Sequence, residues 1–494
     1  MSSKPKSLRL NFIMNAILTV SSFLFPIITF PYISRVLMPD GTGKVNLAIS
    51  VATYFSMFAQ LGIPTYGIRI CSQESDDKIQ LSRTVQELLI INSVMSAFSY
   101  IVFAIMLFTV PKFSDDKALY IIVSSIVLFN TIGAEWLYRA IEQYKYITIR
   151  SIIFKTVALI ATFILIKKPD DYIIYGGISI FASSASNILN FINLRKHVFM
   201  RPMGEYDFKR HFRAIFIFFA MSCATTVYTN LDTVMLGFMK TDDQVGFYTA
   251  AVKIKTILVS LITSLGTVLM PRATYFIAHN KIKEFYSISK KAINFVMLTA
   301  IPFTVYFIIF AREGIMFLSG GAFEGAIVPM QIIMPTLLFI GLSNITGIQM
   351  LIPLGKENMV LLSEIVGAIV DLIINIILIP PMGAVGAAIG TLVAEEAVLL
   401  VQYFALHGSV NDALKSVRYI TVTIGVALGS AASLWVKQLE LRNMFKLTIS
   451  AVIFFGIYAI VLTVLKEPLT VEIEGQAIKK IKSFLHKENK AEND

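Results

Sequence analysis

The sequence predicts an all-α polytopic membrane protein with about fourteen transmembrane helices: two six-helix lobes related by a parallel repeat, then two C-terminal helices. Three observations predict it. Hydrophobic residues make up 56% of the chain and charged residues only 15%, where a soluble protein carries about a quarter charged. Apolar runs of about 20 residues, the length that crosses a bilayer, recur from one end to the other. Most of the 43 Lys and Arg fall in segments on one side of those runs, the positive-inside bias that sets both termini in the cytoplasm.

In order, the spans are Leu10–Ile33, Val45–Tyr66, Glu87–Val110, Ala118–Tyr138, Ile147–Ile166, Tyr172–Leu194 and Ala214–Met239. Then come Phe247–Met270, Ala292–Phe310, Ala326–Leu351, Met359–Ile379, Ala384–Leu406, Tyr419–Val436 and Phe445–Leu465. Pro26, Pro302 and Pro335 lie inside spans, where neighbouring helices satisfy the carbonyls that proline frees. The basic opening runs straight into the first span without a small-residue cleavage site, which predicts a retained helix. Residues 1–194 are expected to form the N-lobe and 195–213 a basic cytoplasmic loop. Residues 214–406 would form the C-lobe, 407–466 the last two spans, and 467–494 a basic cytoplasmic tail. In that tail Ile478, Ile481 and Leu485 share one face among lysines, as in an interfacial helix or a frayed charged end.

The net charge of +11 follows from the inner-side bias and contact with anionic lipid, so no nucleic-acid partner is expected. Cys71 and Cys223 offer no disulfide framework. His197, His211, His279, His407 and His486 fall in or beside polar connecting segments, and none has the spacing of a metal site. Outer loops are too short for an outer catalytic domain, and no soluble segment is long enough for a nucleotide-binding domain. The expectation is a transporter that is not an enzyme, has no catalytic residue and needs no cofactor, with Na⁺ or H⁺ coupling open.

"MPDGTGKVNL" (38–47) looks like half of a phosphate loop, but Met38 stands where that loop needs Gly and Val45 where it needs Ser or Thr. It reads instead as an outward turn in which Asp40 and Gly41 break the helix. Gly43, Ala48 and Arg69 recur as Gly246, Ala251 and Arg272, each 203 positions on. Six spans per repeat is an even number, so both lobes start on the same side and enclose a path between them.

"GTGKVNLAIS", "EWLYRAIEQYKYITIRSIIFK", "NLDTVMLG", "VGFYTAAVKI", "FEGAIVPMQI", "LIPLGKEN" and "IILIPPMGAVGAAIGTLVAE" resemble, in this order, the polysaccharide repeat-unit flippases. These form the Wzx-like branch of the multidrug/oligosaccharidyl-lipid/polysaccharide exporter superfamily, and the resemblance spans Asn11 to about Leu406. It implies a two-lobed bundle with a central cavity and alternating access. The implied cargo is an undecaprenyl-diphosphate-linked oligosaccharide, moved from the inner to the outer leaflet of a bacterial plasma membrane. Membrane lipids and a polysaccharide polymerase would be its partners, with one chain as the transport unit.

Such cargo needs cations for its diphosphate and polar groups to replace water around its sugars. The cationic candidates are Lys155, Lys253, Lys255, Arg150 and Arg35. Lys155 lies too deep to snorkel; Arg150 is open to either reading, and Arg35 suits a head-group anchor. Lys253 and Lys255 point about 200° apart, and either reaches the depth of Asp232. The anionic candidates for ion coupling or charge pairing are Asp232, Asp371, Glu364, Glu395, Glu396 and Glu135. Glu364 and Asp371, seven apart, share one helix face. Polar positions such as Ser21, Ser22, Gln60, Asn130 and Thr226 could solvate sugar or bond across helix interfaces. Gly386 and Gly390 read as a close-packing pair, and Trp136 as a membrane-belt anchor. A teichoic-acid or peptidoglycan precursor flippase and a drug/cation antiporter are the nearest alternatives. A membrane glycosyltransferase or polymerase is disfavoured by the short outer loops.

Overall fold

The computed structural model describes residues 8–472, 474 and 475, so the reading of Ile478, Ile481 and Leu485 lies outside the described residues. These form helices and no strand. The helices are α1 (Leu8–Gln60), α2 (Ile63–Gln73), α3 (Lys78–Thr109), α4 (Pro111–Asp115), α5 (Lys117–Gly133), α6 (Glu135–Ala140) and α7 (Tyr144–Leu165). They continue as α8 (Tyr172–Ile180), α9 (Asn187–Leu194), α10 (Lys209–Met239), α11 (Asp242–Ala278), α12 (Ile282–Ile309) and α13 (Ala311–Leu318). The last are α14 (Ile327–Ile333), α15 (Thr336–Ser343), α16 (Glu357–Met382), α17 (Ala384–Lys415), α18 (Tyr419–Leu434) and α19 (Asn443–Val464). π-helical turns at Phe181–Ala185 and Asn344–Leu351 interrupt two spans.

Eleven of the described helices are long and apolar enough to cross a membrane. The first of these holds two sequence spans, because α1 contains a break at Met38. The pair Gly321–Ile333 and Thr336–Leu351, bent by 48°, and the shorter α5 supply two more. Every span read from the sequence thus has its helix. Lipid-facing side chains such as Phe108, Phe404 and Ile420 are more than 70% exposed, a cost in water that a bilayer removes.

The break in α1 corrects the sequence reading. Met38 adopts φ 61°, ψ 179°, a region almost reserved for glycine that costs about 1–3 kcal/mol. Pro39 follows at the first position of the second arm, where its missing N–H costs nothing. Asp40 and Gly41 are helical and do not break the chain. Gly43 is a packing position: a Cβ there would lie 1.9 Å from the carbonyl oxygen of Asp242, and one on Gly246 would lie 2.2 Å from that of Pro39. Pro39 and Asp242, like Gly43 and Gly246, are 203 positions apart. The two contacts are therefore one contact seen from both sides, as a twofold-related repeat requires.

The described residues fall into two compact units. One lies within Met1–Ala250, Leu318–Ala326 and Asp371–Gly390; the other lies within Ala251–Phe317, Ile327–Val370 and Thr391–Asp494. In the first, Ile63, Leu81, Val85, Leu88, Leu137 and Ile215 form a core joining α2, α3, α6 and α10. Trp136 is buried in that core, not at a membrane belt, because Gly67 has no side chain to hold its indole away: a Cβ on Gly67 would meet the ring at 2.6 Å. Gly386 packs on the Leu378 carbonyl (2.3 Å from a Cβ) and Gly390 on Asn375, the close approach that small-xxx-small spacing permits. In the second unit, Tyr458 donates to the Leu298 carbonyl (2.8 Å) and Tyr306 to that of Leu447 (2.9 Å), tying α19 to α12 at two levels.

His211 also departs from the sequence reading. It is fully buried on α10, where its Nε2 contacts the equally buried Glu87 (2.7 Å) and its Nδ1 meets the Tyr66 hydroxyl (2.8 Å). The imidazole bridges Glu87 and Tyr66, so each of the three buried groups has a hydrogen-bond partner. Arg210 adds an ion pair to Glu87 (2.7 Å), and the Asp207 N–H bonds the other carboxylate oxygen (2.7 Å). The segment entering α10 is thereby fastened to α3.

Candidate functional site

The first unit holds a chain of polar side chains within its apolar helices. α5 ends at Gly133, and Ala134 (φ 38°) turns the backbone so that Glu135 opens α6, where the helix dipole favours an acid. Glu135 pairs with Arg139 one turn on (2.7 Å) and with Arg150 of α7 (2.8 Å). Arg150 is only 3% exposed. It also donates to Ser186 (2.7 Å) and Asn187 (3.1 Å), at the junction of the π-turn and α9. A Cβ on Gly133 would overlap Asn187 at 2.5 Å, so glycine there makes room for the amide.

From Asn187 the bonds run on. Its Nδ2 donates to Asn130 (3.3 Å), Asn130 donates to Ser56 (3.1 Å), and Gln60 donates to the same hydroxyl (2.8 Å). Ser56, Gln60 and Asn130 then line a cavity of about 240 Å³ together with Thr53, Ser222 and Thr226. Its polar side chains are hydroxyls and amides, none of its lining residues is charged, and Met57, Pro64 and Ile126 complete the wall near the α1–α2 junction.

Lys155, further along α7 than Arg150, differs in its partners. Its ammonium donates to Ser21 (3.1 Å) and Ser22 (2.8 Å), whose hydroxyls donate onward to the Leu18 carbonyl (2.7 and 3.0 Å). Arg150 is neutralised by a carboxylate; Lys155 is held by neutral oxygens.

A second polar cluster lies in the same unit. Asp232, buried on α10, accepts from Asn375 (2.6 Å) and from the Tyr248 hydroxyl. Asp371, 1% exposed, lies one turn before Asn375 on α16. A Cβ on Gly390 would approach both the Asn375 and the Asp371 oxygens, at 2.4 and 3.0 Å. Two carboxylates and an amide are thus gathered against glycine backbone.

The remaining sequence candidates are dispersed. Arg35 is exposed, bonds its own helix at Pro31 and packs on Gly320 of the first unit. Lys253, Lys255 and Glu364 are half-buried in the second unit; Glu395 is buried there and Glu396, about 100° further round the helix, is exposed. The Glu87–His211–Arg210 cluster escaped the sequence reading. Its signal was a glutamate at the first position of an apolar span, which demands a partner.

Spans, repeat and internal polar chains define a polytopic α-helical membrane transporter. Residues 8–277 match the family described as polysaccharide biosynthesis protein, and the chain belongs to that family, the Wzx-like branch that its motifs resemble. It is 25% identical over 401 residues to a putative O-antigen transporter of Escherichia coli (strain K12), covering 80% of this chain and 95% of that one. It is 23% identical over 204 residues to a probable low-salt glycan biosynthesis flippase of Haloferax volcanii, covering 41% of this chain and 43% of that one. Among solved structures it shares its fold with the lipid II flippase MurJ in an inward closed conformation: TM-score 0.67, 16% identity, 92% of this chain and 99% of that one. An inward-facing multidrug MATE transporter of the MOP superfamily gives TM-score 0.60 at 12% identity, covering 82% and 99%.

Proposed function

We propose that this protein flips an undecaprenyl-diphosphate-linked oligosaccharide repeat unit from the inner to the outer leaflet of a bacterial plasma membrane. It does so by alternating access of the lobes 1–194 and 214–406, with both termini cytoplasmic, as one transport unit feeding a polysaccharide polymerase. The observation that carries this reading is the uncharged cavity of mixed apolar, hydroxyl and amide side chains, joined through Asn130 and Asn187 to Arg150, in a family of polysaccharide biosynthesis proteins. Its hydroxyls and amides replace the water that sugar hydroxyls lose on leaving solution. At about 240 Å³ the cavity equals roughly eight waters' share of liquid volume, space for a sugar ring and not for a whole repeat unit. The sugars would pass through it in succession.

Lys155 supplies the positive charge for the diphosphate, and Asp232 with Asp371 supplies a cation site, Na⁺ or H⁺, for coupling. Deleting the gene is expected to leave a lipid-linked oligosaccharide on the inner leaflet, cleared when the gene is returned. Accumulation of a teichoic-acid or peptidoglycan precursor instead would reassign the cargo, and lost drug resistance without any accumulation would favour an antiporter.

The coupling site makes a separate prediction. Asp371→Asn keeps the shape of the side chain and removes its charge, so transport into proteoliposomes should continue but stop responding to an imposed Na⁺ or pH gradient. A gradient response equal to wild type would remove Asp371 from coupling.

A further inference from the structure

We infer that the segment leaving α9 forms a binding site for an anionic phospholipid, with Arg195, Arg201 and Lys78 around an apolar floor of Phe199 and Met200. α9 ends at Leu194, so the chain from Arg195 leaves the apolar zone at the depth of lipid head groups. Beyond Arg195 the backbone is fastened at several points. Ser82 accepts from the Phe199 N–H (2.9 Å), and Gln86 donates to the carbonyls of Phe199 (2.7 Å) and Arg201 (2.9 Å) while accepting from the Met203 N–H (3.3 Å). Held to α3 in this way, the backbone bends around a cavity of about 440 Å³ lined by Arg195, Phe199, Met200 and Arg201.

The chemistry of its rim and floor selects the ligand. Arg195 and Arg201 are exposed, and the first acid along the segment, Glu205, is taken by Arg83 (3.3 Å). Lys78 stands over the Phe199 ring at 4.7 Å, a third cation at the rim. Phe199 and Met200 are 46% and 50% exposed, surface that water disfavours and hydrocarbon accepts. Cations beside exposed apolar side chains match a molecule with phosphate at one end and hydrocarbon at the other. An acidic soluble peptide would answer the charge and leave the apolar floor wet. Because the backbone is fixed before the ligand arrives, little ordering cost opposes binding. The site does not depend on the identity of the cargo, only on the basic end of the unit meeting the inner leaflet.

The test is native mass spectrometry of the full chain in detergent, titrated with phosphatidylglycerol, phosphatidylcholine or undecaprenyl diphosphate. Wild type should retain phosphatidylglycerol in preference to phosphatidylcholine. Each cation near an anionic lipid surface contributes about five-fold in affinity, so Arg195→Gln with Arg201→Gln should weaken phosphatidylglycerol binding about thirty-fold. The pair Lys283→Gln with Lys290→Gln, exposed residues of the second unit, should leave it unchanged, and unfolding midpoints report whether each variant folds. Equal retention of the two phospholipids by wild type, or equal loss in both variant pairs, would overturn the site. Stronger retention of undecaprenyl diphosphate than of phosphatidylglycerol would overturn the lipid assignment and make it a station for cargo.

Discussion

Gly43→Ala is expected to abolish transport and to cost ~3 kcal/mol or more in stability, the upper end of what overpacking does. The reason is the partner: the added methyl would sit 1.9 Å from a main-chain carbonyl oxygen, that of Asp242, and backbone cannot rotate away as a side chain can. The second arm of α1 and the start of α11 would have to separate. Gly246→Ala should act alike, since it meets the Pro39 carbonyl at 2.2 Å. The two effects should fall short of additive, because one displaced contact relieves both. Lys112 and Asp242, ion-paired at 2.7 Å, provide the readout. Cysteines at 112 and 242 should be bridged efficiently by a short bifunctional thiol reagent, which takes up the length the lysine side chain fills, in an otherwise wild-type chain and poorly when Gly43→Ala is added. Undiminished cross-linking together with a wild-type unfolding midpoint would show that the two segments do not pack at glycine distance.

The same contact separates what a sequence states from what it withholds. Spans are legible because crossing a bilayer is a matter of apolar length, which needs no partner. Gly43 and Gly246 are legible as a repeat, since equivalence is written in spacing. Their role is not, because nothing in the string says that Pro39 lies against one glycine and Asp242 against the other. Asp40 and Gly41 are the usual helix breakers; the chain instead strains Met38 and keeps Gly41 and Gly43 for packing. His211 looks like a loop residue in a basic run, and Trp136 like a belt anchor. Burial of the first depends on Glu87, 124 positions earlier, and burial of the second on a glycine in α2. Charged residues within spans are found readily, for they stand out against apolar neighbours. Which of them is neutralised is a tertiary fact: Glu135 and Arg150 sit on different helices, and the hydroxyls that hold Lys155 lie more than a hundred residues away.

That difference in neutralisation yields the second large effect. Arg150→Leu is expected to destabilise the protein by about 3 kcal/mol, because removing one member of a buried pair strands the other. The low end of the usual range applies, since Glu135 is partly exposed and keeps Arg139 at 2.7 Å. Ser186 and Asn187 lose their donor as well. Arg150→Lys should recover only part of the loss, because an ammonium cannot reach three acceptors in the planar fork of a guanidinium. Lys155→Met should do the opposite. Removing a half-buried cation held by Ser21 and Ser22 relieves desolvation and breaks no ion pair, so folding should stay within ~0.5 kcal/mol of wild type. Transport should nevertheless fall at least about ten-fold, the loss of one charge-assisted bond to phosphate. The pair of variants therefore separates a cation that holds the helices together from one that meets the cargo. The measurements are unfolding midpoints in detergent beside lipid-linked oligosaccharide transport in proteoliposomes. If Lys155→Met transports normally, or if its transport loss only follows a loss of folded protein, Lys155 is a structural residue and the diphosphate must be met elsewhere.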